Sequence, residues 1–192
     1  MNIRNTWNAR YHNAEDSRPR AASVLTENTH LLPASGQALD LACGLGGNAL
    51  MLAERGLDVQ AWDISDVAIN KLVQRAADEN IPVQADVRDL ESERLPPDTF
   101  SVITVSYYLD RNIFPALVAA LKSGGLIFYQ TFSQAVVSDR GPSNPDFRLE
   151  KQELLDVFSS LDVVLYREES ALGDPAKGFR DEAMFIGCKP YL

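Results

Sequence analysis

A short apolar run passes directly into a glycine-rich turn and then into a helical pattern at Ala38-Leu39-Asp40-Leu41-Ala42-Cys43-Gly44-Leu45-Gly46-Gly47-Asn48-Ala49-Leu50. This junction constrains the chain more than any other feature in it. A strand handing over to a helix across so few, such small residues lets the backbone approach a ligand closely. The first N–H groups of the helix are left unpaired and point at whatever lies above them. A nucleotide-like ligand fits such a place.

The rest of the chain repeats the same kind of unit. Apolar runs at 38–42, 59–63, 82–86, 101–106 and 125–131 alternate with helical patterns at 48–55, 65–80, 113–121 and 150–161, with Ser65 as an N-cap. That alternation predicts an α/β fold, a doubly wound and mostly parallel sheet with helices on both faces. The last two strand candidates, 163–167 and 183–188, have no convincing helix between them, so they are expected to close a seven-stranded sheet as a C-terminal antiparallel hairpin. Residues 19–32 read as a leading helix, preceded by a short aromatic segment with Trp7 and Tyr11.

The expected organisation is one domain over 1–192: a helical cap at 1–36, a cofactor-binding core at 37–132, and a substrate loop with the hairpin at 133–192. Within the last part, residues 133–148 carry Gly141-Pro142-Ser143-Asn144-Pro145 and are too long for a simple connector. Loops of that kind form lids or binding loops.

Composition narrows the partners. With 192 residues, 45% of them apolar, the chain can bury one substantial core. It has no apolar run near the roughly 20 residues that cross a bilayer and no apolar signal-peptide core near its start. A formal charge of -9 and a pI near 4.7 oppose a nonspecific grip on nucleic acid. Cys43 and Cys188 are far apart and lack metal-ligand spacing, so neither a disulfide framework nor a metal site is expected. The expectation is a cytoplasmic protein with a small-molecule partner, no nucleic acid and no membrane.

Three acids, Asp40, Asp63 and Asp86, stand at equal intervals at the ends of the first three strand candidates. In a doubly wound sheet those ends line one crevice. A carboxylate at the second accepts hydrogen bonds from both hydroxyls of a ribose, and one at the third accepts from an adenine amino group. Asp40 is expected to face a cation. Gly44-Leu45-Gly46-Gly47-Asn48-Ala49 also satisfies the dinucleotide fingerprint, with Asp63 about 20 residues beyond it. A carboxylate just before the turn suits an ammonium or sulfonium better than a pyrophosphate, which favours S-adenosyl-L-methionine over a nicotinamide cofactor.

The motif from Asp40 to Gly46 resembles the first motif of class I S-adenosylmethionine-dependent methyltransferases, and Ala61-Trp62-Asp63-Ile64-Ser65 resembles the second. Gln84-Ala85-Asp86-Val87 resembles the adenine-contacting motif, and Leu121-Lys122-Ser123-Gly124-Gly125-Leu126-Ile127 the turn into the fifth strand. Trp7 to Tyr11, the Ala61-Trp62-Asp63 pattern and the short length are most similar to small bacterial methyltransferases of the tellurite-resistance type.

The resemblance implies that Ala42, Cys43, Gly44 and Gly46 wrap the methionine part, that Asp63 holds the ribose, that Ile64 packs on adenine, and that Asp86 and Val87 flank its edge. It also implies that Ser106 lies near the transferable methyl. The chain reads Ser106-Tyr107-Tyr108-Leu109 where nucleobase and glutamine amino-methyltransferases carry Asp/Asn-Pro-Pro-Tyr/Phe, which speaks against that chemistry.

Methyl transfer from a sulfonium needs alignment more than acid–base machinery. Tyr107 and Tyr108 are therefore the candidate catalytic residues as acceptor-pocket walls, with Asp110, Tyr129 and His12 weighed beside them. Arg20, like Arg18, is placed to reach the cofactor carboxylate, and Arg140, Arg148 and Arg180 to meet an anionic acceptor. The acceptor is expected to be an oxyanion or metalloid species or a soft nucleophile. Two alternatives stand beside this reading: a nicotinamide-dependent oxidoreductase, and a sensor that binds the cofactor and transfers nothing.

Overall fold

The computed structural model describes residues 2–14, 17–90 and 92–191. Seven strands form one sheet: β1 (Gln37–Leu41), β2 (Asp58–Asp63), β3 (Val83–Val87), β4 (Phe100–Ser106), β5 (Leu121–Phe132), β6 (Asp162–Arg167) and β7 (Glu182–Cys188), in the order β3-β2-β1-β4-β5-β7-β6. The pairs β1·β2, β2·β3, β1·β4 and β4·β5 are parallel, and β7 runs antiparallel to both β5 and β6. The expected hairpin is thus present, with its second strand threaded inside and β6 left at the edge.

Burial explains that order. Every residue of β7 up to Gly187 is buried, as suits an interior strand, whereas β6 leaves Val163 and Val164 exposed at the rim. Phe128 and Tyr129 alternate across β5. Phe128 joins Leu50, Leu52, Leu72 and Ile186 on one face, while Tyr129 joins Phe114, Phe158 and Phe185 on the other. Tyr129 is fully buried, its hydroxyl donating to the Tyr108 carbonyl at 2.7 Å. It is a core residue and not part of a ligand wall.

The helices are α1 (Ile3–His12), α2 (Ser23–Thr26), α3 (Gly47–Glu54), α4 (Asp66–Asp78), α5 (Phe114–Ala120) and α6 (Glu153–Val157). Ser65 caps α4 as expected, its Oγ accepting the Ala68 N–H at 3.1 Å.

Two local readings need correction. The segment 19–32 is not a continuous helix but one turn, α2, and a 3-10 turn at Thr29–Leu31. The Ala22 N–H is drawn to the Asn48 side chain at 2.9 Å and the Val24 N–H to that of Gln130 at 2.7 Å, so tertiary partners outcompete the local ladder. The aromatic segment before it is helical, as the expected cap requires, and forms α1. In the 150–161 stretch only α6 is helical, because Gln152 takes a left-handed conformation with its N–H on the Glu168 carboxylate.

Candidate active site

The parallel strands end on one side of the sheet, and β1, β2, β4 and β5 open there into a cavity of about 820 Å³. Its floor is the turn after β1. Gly46 sits at φ +82° as the N-cap of α3, and a Cβ there would fall 2.3 Å from Leu72 Cδ1. Gly46 is therefore required by the packing of α4 beneath the turn. It does not form part of the cavity wall. Gly44, at φ +54°, does face the cavity, with the Tyr11 hydroxyl of α1 lying over it.

The second strand fixes this turn. Asp63, the last residue of β2, accepts the Gly44 N–H on Oδ2 and the Ser65 N–H on Oδ1, each at 2.8 Å, while the Cys43 N–H reaches the Trp62 carbonyl at 3.0 Å. Burial raises the Asp63 carboxyl above its ordinary range, and backbone donors from Ser65, Gly44 and Ile64 pull against it. Burial also pushes the Cys43 thiol well up, with Asp40 and Asp63 adding to the effect, so this cysteine is a small wall residue and not a nucleophile.

Asp40 does not face a cation. It is fully buried, with Oδ1 accepting from the Thr104 hydroxyl (2.9 Å) and Asn48 Nδ2 (3.2 Å) and Oδ2 accepting the Ala49 N–H (3.0 Å). Burial pushes its pKa up to about 6 against those donors. Asp40 braces β4 and the first turn of α3, so its charge no longer discriminates between cofactors. Asn48, which the sequence reading passed over, joins the parts: besides Asp40 it holds the Ala22 N–H and donates to Ser106 Oγ at 3.0 Å.

Asp86 and Val87 also miss the wall. Asp86 accepts from Gln84 Nε2 and lies 3.9 Å from Arg88, while Val87 is exposed. Beyond β3 the chain turns back over β2, the Arg88 N–H bonding the Asp63 carbonyl at 2.8 Å, and this delivers Asp89 and Leu90 to the cavity instead. Ala42, Cys43, Gly44, Asp63, Ile64, Ser106, Arg20, Tyr107 and Tyr108 all line it.

The opposite half of the cavity is built from distant segments. Tyr107 has a left-handed backbone (φ +57°), a conformation costly for a bulky side chain. Its hydroxyl donates to Glu182 Oε2 at 3.2 Å and accepts from Gln130 Nε2 at 3.1 Å. Burial, followed by the Glu182 charge, pushes its pKa up to about 12, so it stays protonated at neutral pH. Glu182 is itself buried and also takes Gln130 Nε2 and Arg140 Nη2, each at 2.6 Å.

The neighbouring Asp181 binds the N–H groups of Val137 and Ser138 and the Ser138 hydroxyl. Burial alone would raise the Asp181 carboxyl, yet these donors bring it below the usual range. Arg148 is not a ligand for an anionic acceptor: it is buried, and its guanidinium donates to the carbonyls of Ser133, Arg140 and Pro142. Residues 133–148 are thereby stapled into a wall, with Arg140, Gly141, Pro142 and Phe147 on the cavity.

Neither Asp181 nor Glu182 was singled out from sequence; the only signal was two adjacent acids at the mouth of an otherwise apolar strand. Among the other candidates, Arg180 binds the carbonyls of Ser170, Asp174 and Lys177, Arg18 pairs with Glu54, Asp110 caps the turn at Asn112, and His12 is exposed off the wall. Among the described residues no helix is long and apolar enough to cross a membrane.

Comparison with known proteins places this geometry. The family model described as Tellurite resistance protein TehB matches residues 7–178. Hemagglutinin 1 of Eikenella corrodens is 30% identical over 144 residues, covering 71% of this chain and 47% of that protein. The chain spans about half the length of the curated relatives it matches. The crystal structure of TehB from Haemophilus influenzae superposes with a TM-score of 0.72 at 18% identity, covering 95% of this chain and 67% of that one. An S-adenosylmethionine-dependent methyltransferase from Mesorhizobium loti gives 0.67 at 18%, covering 88% and 99%. These likenesses establish a Rossmann-like methyltransferase fold.

Proposed function

The chain belongs to the TehB family of tellurite resistance proteins, and on that premise we propose that it is an S-adenosyl-L-methionine-dependent methyltransferase acting on a small-molecule acceptor. The observation that carries this reading is the Asp63 carboxylate: it closes β2, lines the cavity and already holds the glycine turn through Gly44. An ionised carboxylate offers about four acceptor positions, and its backbone donors leave room for ribose hydroxyls.

The other residues fit the same group. Ile64, next to Asp63, offers an apolar face for adenine, with Asp89 and Leu90 beside it in place of Asp86 and Val87. Arg20 lines the cavity beside Gly47 without an ion-pair partner among the described residues, free to meet the cofactor carboxylate. Ala42, Cys43 and Gly44 supply a small-residue bed for the methionine part. Asp40 and Gly46 act beneath them, as a brace and as a packing point for the turn.

S-adenosylmethionine, when bound, supplies a methyl group already activated on a sulfonium. What remains for the protein is to align the acceptor and keep water out. Ser106, fixed by Asn48, and Tyr107 and Tyr108 after β4 stand where the two halves of the cavity meet. Of the two acceptor chemistries read from sequence, an oxyanion and a soft nucleophile, the aromatic walls support the second. The strand order also departs from the 3-2-1-4-5-6 arrangement of dinucleotide-binding sheets by the insertion of β7, which weighs against a nicotinamide enzyme.

The test is transfer of label from methyl-labelled donor into small molecules of a metabolite extract. The expected result is acceptor-dependent labelled product. Binding of the demethylated cofactor without transfer to any acceptor would instead identify a sensor.

A further inference from the structure

We infer that Gln130 is a positioning residue for the cofactor: through a strap of backbone at 19–24 it sets Arg20 over the glycine turn, where the guanidinium meets the cofactor's carboxylate. This rests on the S-adenosylmethionine reading and adds to it the device that holds the amino-acid end.

Gln130 is polar where packing asks for none. It lies on β5 two residues from Phe128 and on the same face, opposite Met184 of β7, and is 1% exposed. An amide buried there is costly unless its donors and its acceptor are used, and a methionine would fill much the same space. All are used. Both Nε2 protons are taken, by Glu182 Oε2 at 2.6 Å and the Tyr107 hydroxyl at 3.1 Å, and Oε1 accepts the Val24 N–H at 2.7 Å across 106 positions of chain. A carboxylate can only accept and a backbone N–H can only donate, so these partners fix which way the amide faces. The network on the acceptor side holds the amide, and the amide holds the strap.

The strap crosses the start of α3. A Cβ on Gly47 would fall 2.4 Å from the Arg20 carbonyl oxygen and 3.0 Å from the Ala21 nitrogen. Gly47 has no left-handed φ to explain it, so the close approach of this backbone is what requires glycine there. Ala22 and Val24, two and four residues after Arg20, give their N–H groups to the side chains of Asn48 and Gln130. Arg20 therefore has its main chain pinned on the first residue of α3 and its side chain on the cavity, beside the bed of Ala42, Cys43 and Gly44.

The other guanidinia lining the cavity have partners of their own. Arg10 lies 5.3 Å over the Trp7 ring, and Arg140 is paired with Glu182. Arg20 has no ion-pair partner among the described residues, and a carboxylate matches the fork of its N–H groups.

The test is calorimetric titration of the full chain at pH 6 with S-adenosylhomocysteine and with its decarboxylated counterpart, which keeps the nucleoside and the amine. Wild type should bind the decarboxylated ligand about tenfold more weakly. Arg20→Gln should weaken S-adenosylhomocysteine about tenfold and leave the decarboxylated ligand within about twofold. Gln130→Met, which keeps the shape and loses the acceptor oxygen, should weaken S-adenosylhomocysteine about fivefold with the same selectivity. Gln130→Glu restores an oxygen for the Val24 N–H and at this pH shares a proton with Glu182. It should bind S-adenosylhomocysteine within about twofold of wild type. Gly47→Ala pushes on the strap from its other side, at a helix position where alanine is favoured. It should act like Gln130→Met, and it decides the matter if that variant does not fold.

Failure of wild type to bind S-adenosylhomocysteine overturns the methyltransferase reading and this inference together. If S-adenosylhomocysteine binds, this inference alone is overturned by equal wild-type affinity for the two ligands, or by variants that weaken both ligands equally or neither. A Gln130→Glu protein no better than Gln130→Met overturns it as well.

Discussion

The two halves of the cavity are held by different kinds of bond. Around the glycine turn the backbone N–H donors are near in sequence: Asp63 reaches back 19 positions to Gly44 and on two to Ser65, and Asp40 reaches 9 positions to Ala49, with Thr104 of β4, 64 positions away, as its one distant tie. Around the 133–148 loop the carboxylate ties are distant, Arg140 meeting Glu182 across 42 positions and Val137 meeting Asp181 across 44, while Arg148 staples the loop from within. The donor half is a local backbone device, pre-shaped by one strand–turn–helix unit and its neighbour. The acceptor half is assembled by buried charges that only the complete sheet brings together.

The largest effect should come from the loop side. Arg148→Ala removes three charge-assisted bonds to loop carbonyls and should cost about 3 kcal/mol or more in urea unfolding, with little change in affinity of the folded protein for S-adenosylhomocysteine. A loss below about 1 kcal/mol would mean that the loop is held by other contacts. On the near side, Asp63→Ala should weaken S-adenosylhomocysteine binding by about 1.5–3 kcal/mol. An unchanged dissociation constant would assign Asp63 to the turn alone and erase the donor half as described.

Asp40 makes the stability of the glycine-turn side depend on pH. Burial raises its folded value to about 6, above the unfolded value near 3.9. Across that window the folded state holds more protons, so this group makes stability fall as pH rises. Asp40→Asn should remove that slope, an effect on the order of 1 to 3 kcal/mol across the window. Urea unfolding at a series of pH values reads it, and an unaltered slope would show that Asp40 is not the group responsible. The smallest effect is expected for Tyr107→Phe, which deletes one hydroxyl from the Glu182 network. It should cost about 1 kcal/mol of stability and raise KM for the acceptor without altering cofactor affinity. A shift in cofactor affinity instead would show that the halves are not separable.

The same division explains what the sequence disclosed. All seven strands, the glycine turn and the place of Asp63 at the end of β2 were legible because period, turn chemistry and strand-end position are local properties, whereas Ser106, which lines the cavity, entered through the family resemblance. The role of Asp40 was misread: its place before the turn was visible, but Thr104 and Asn48, which occupy its oxygens, were not. Asp86 and Val87 gave way to Asp89 and Leu90 because the chain bends back after β3, a path that alternation does not encode. Asp181 and Glu182 escaped notice because their meaning lies in partners more than forty residues away. The segment before β1 was misassigned because Asn48 and Gln130 claim N–H groups that an isolated peptide would use in a helix.

The most direct test of the central claim is one-site calorimetry of the wild-type protein with S-adenosylhomocysteine, run beside NAD under the same conditions. Saturation by S-adenosylhomocysteine at roughly micromolar concentration and none by NAD is expected. Saturation by NAD, or no binding of S-adenosylhomocysteine to folded protein, would contradict it.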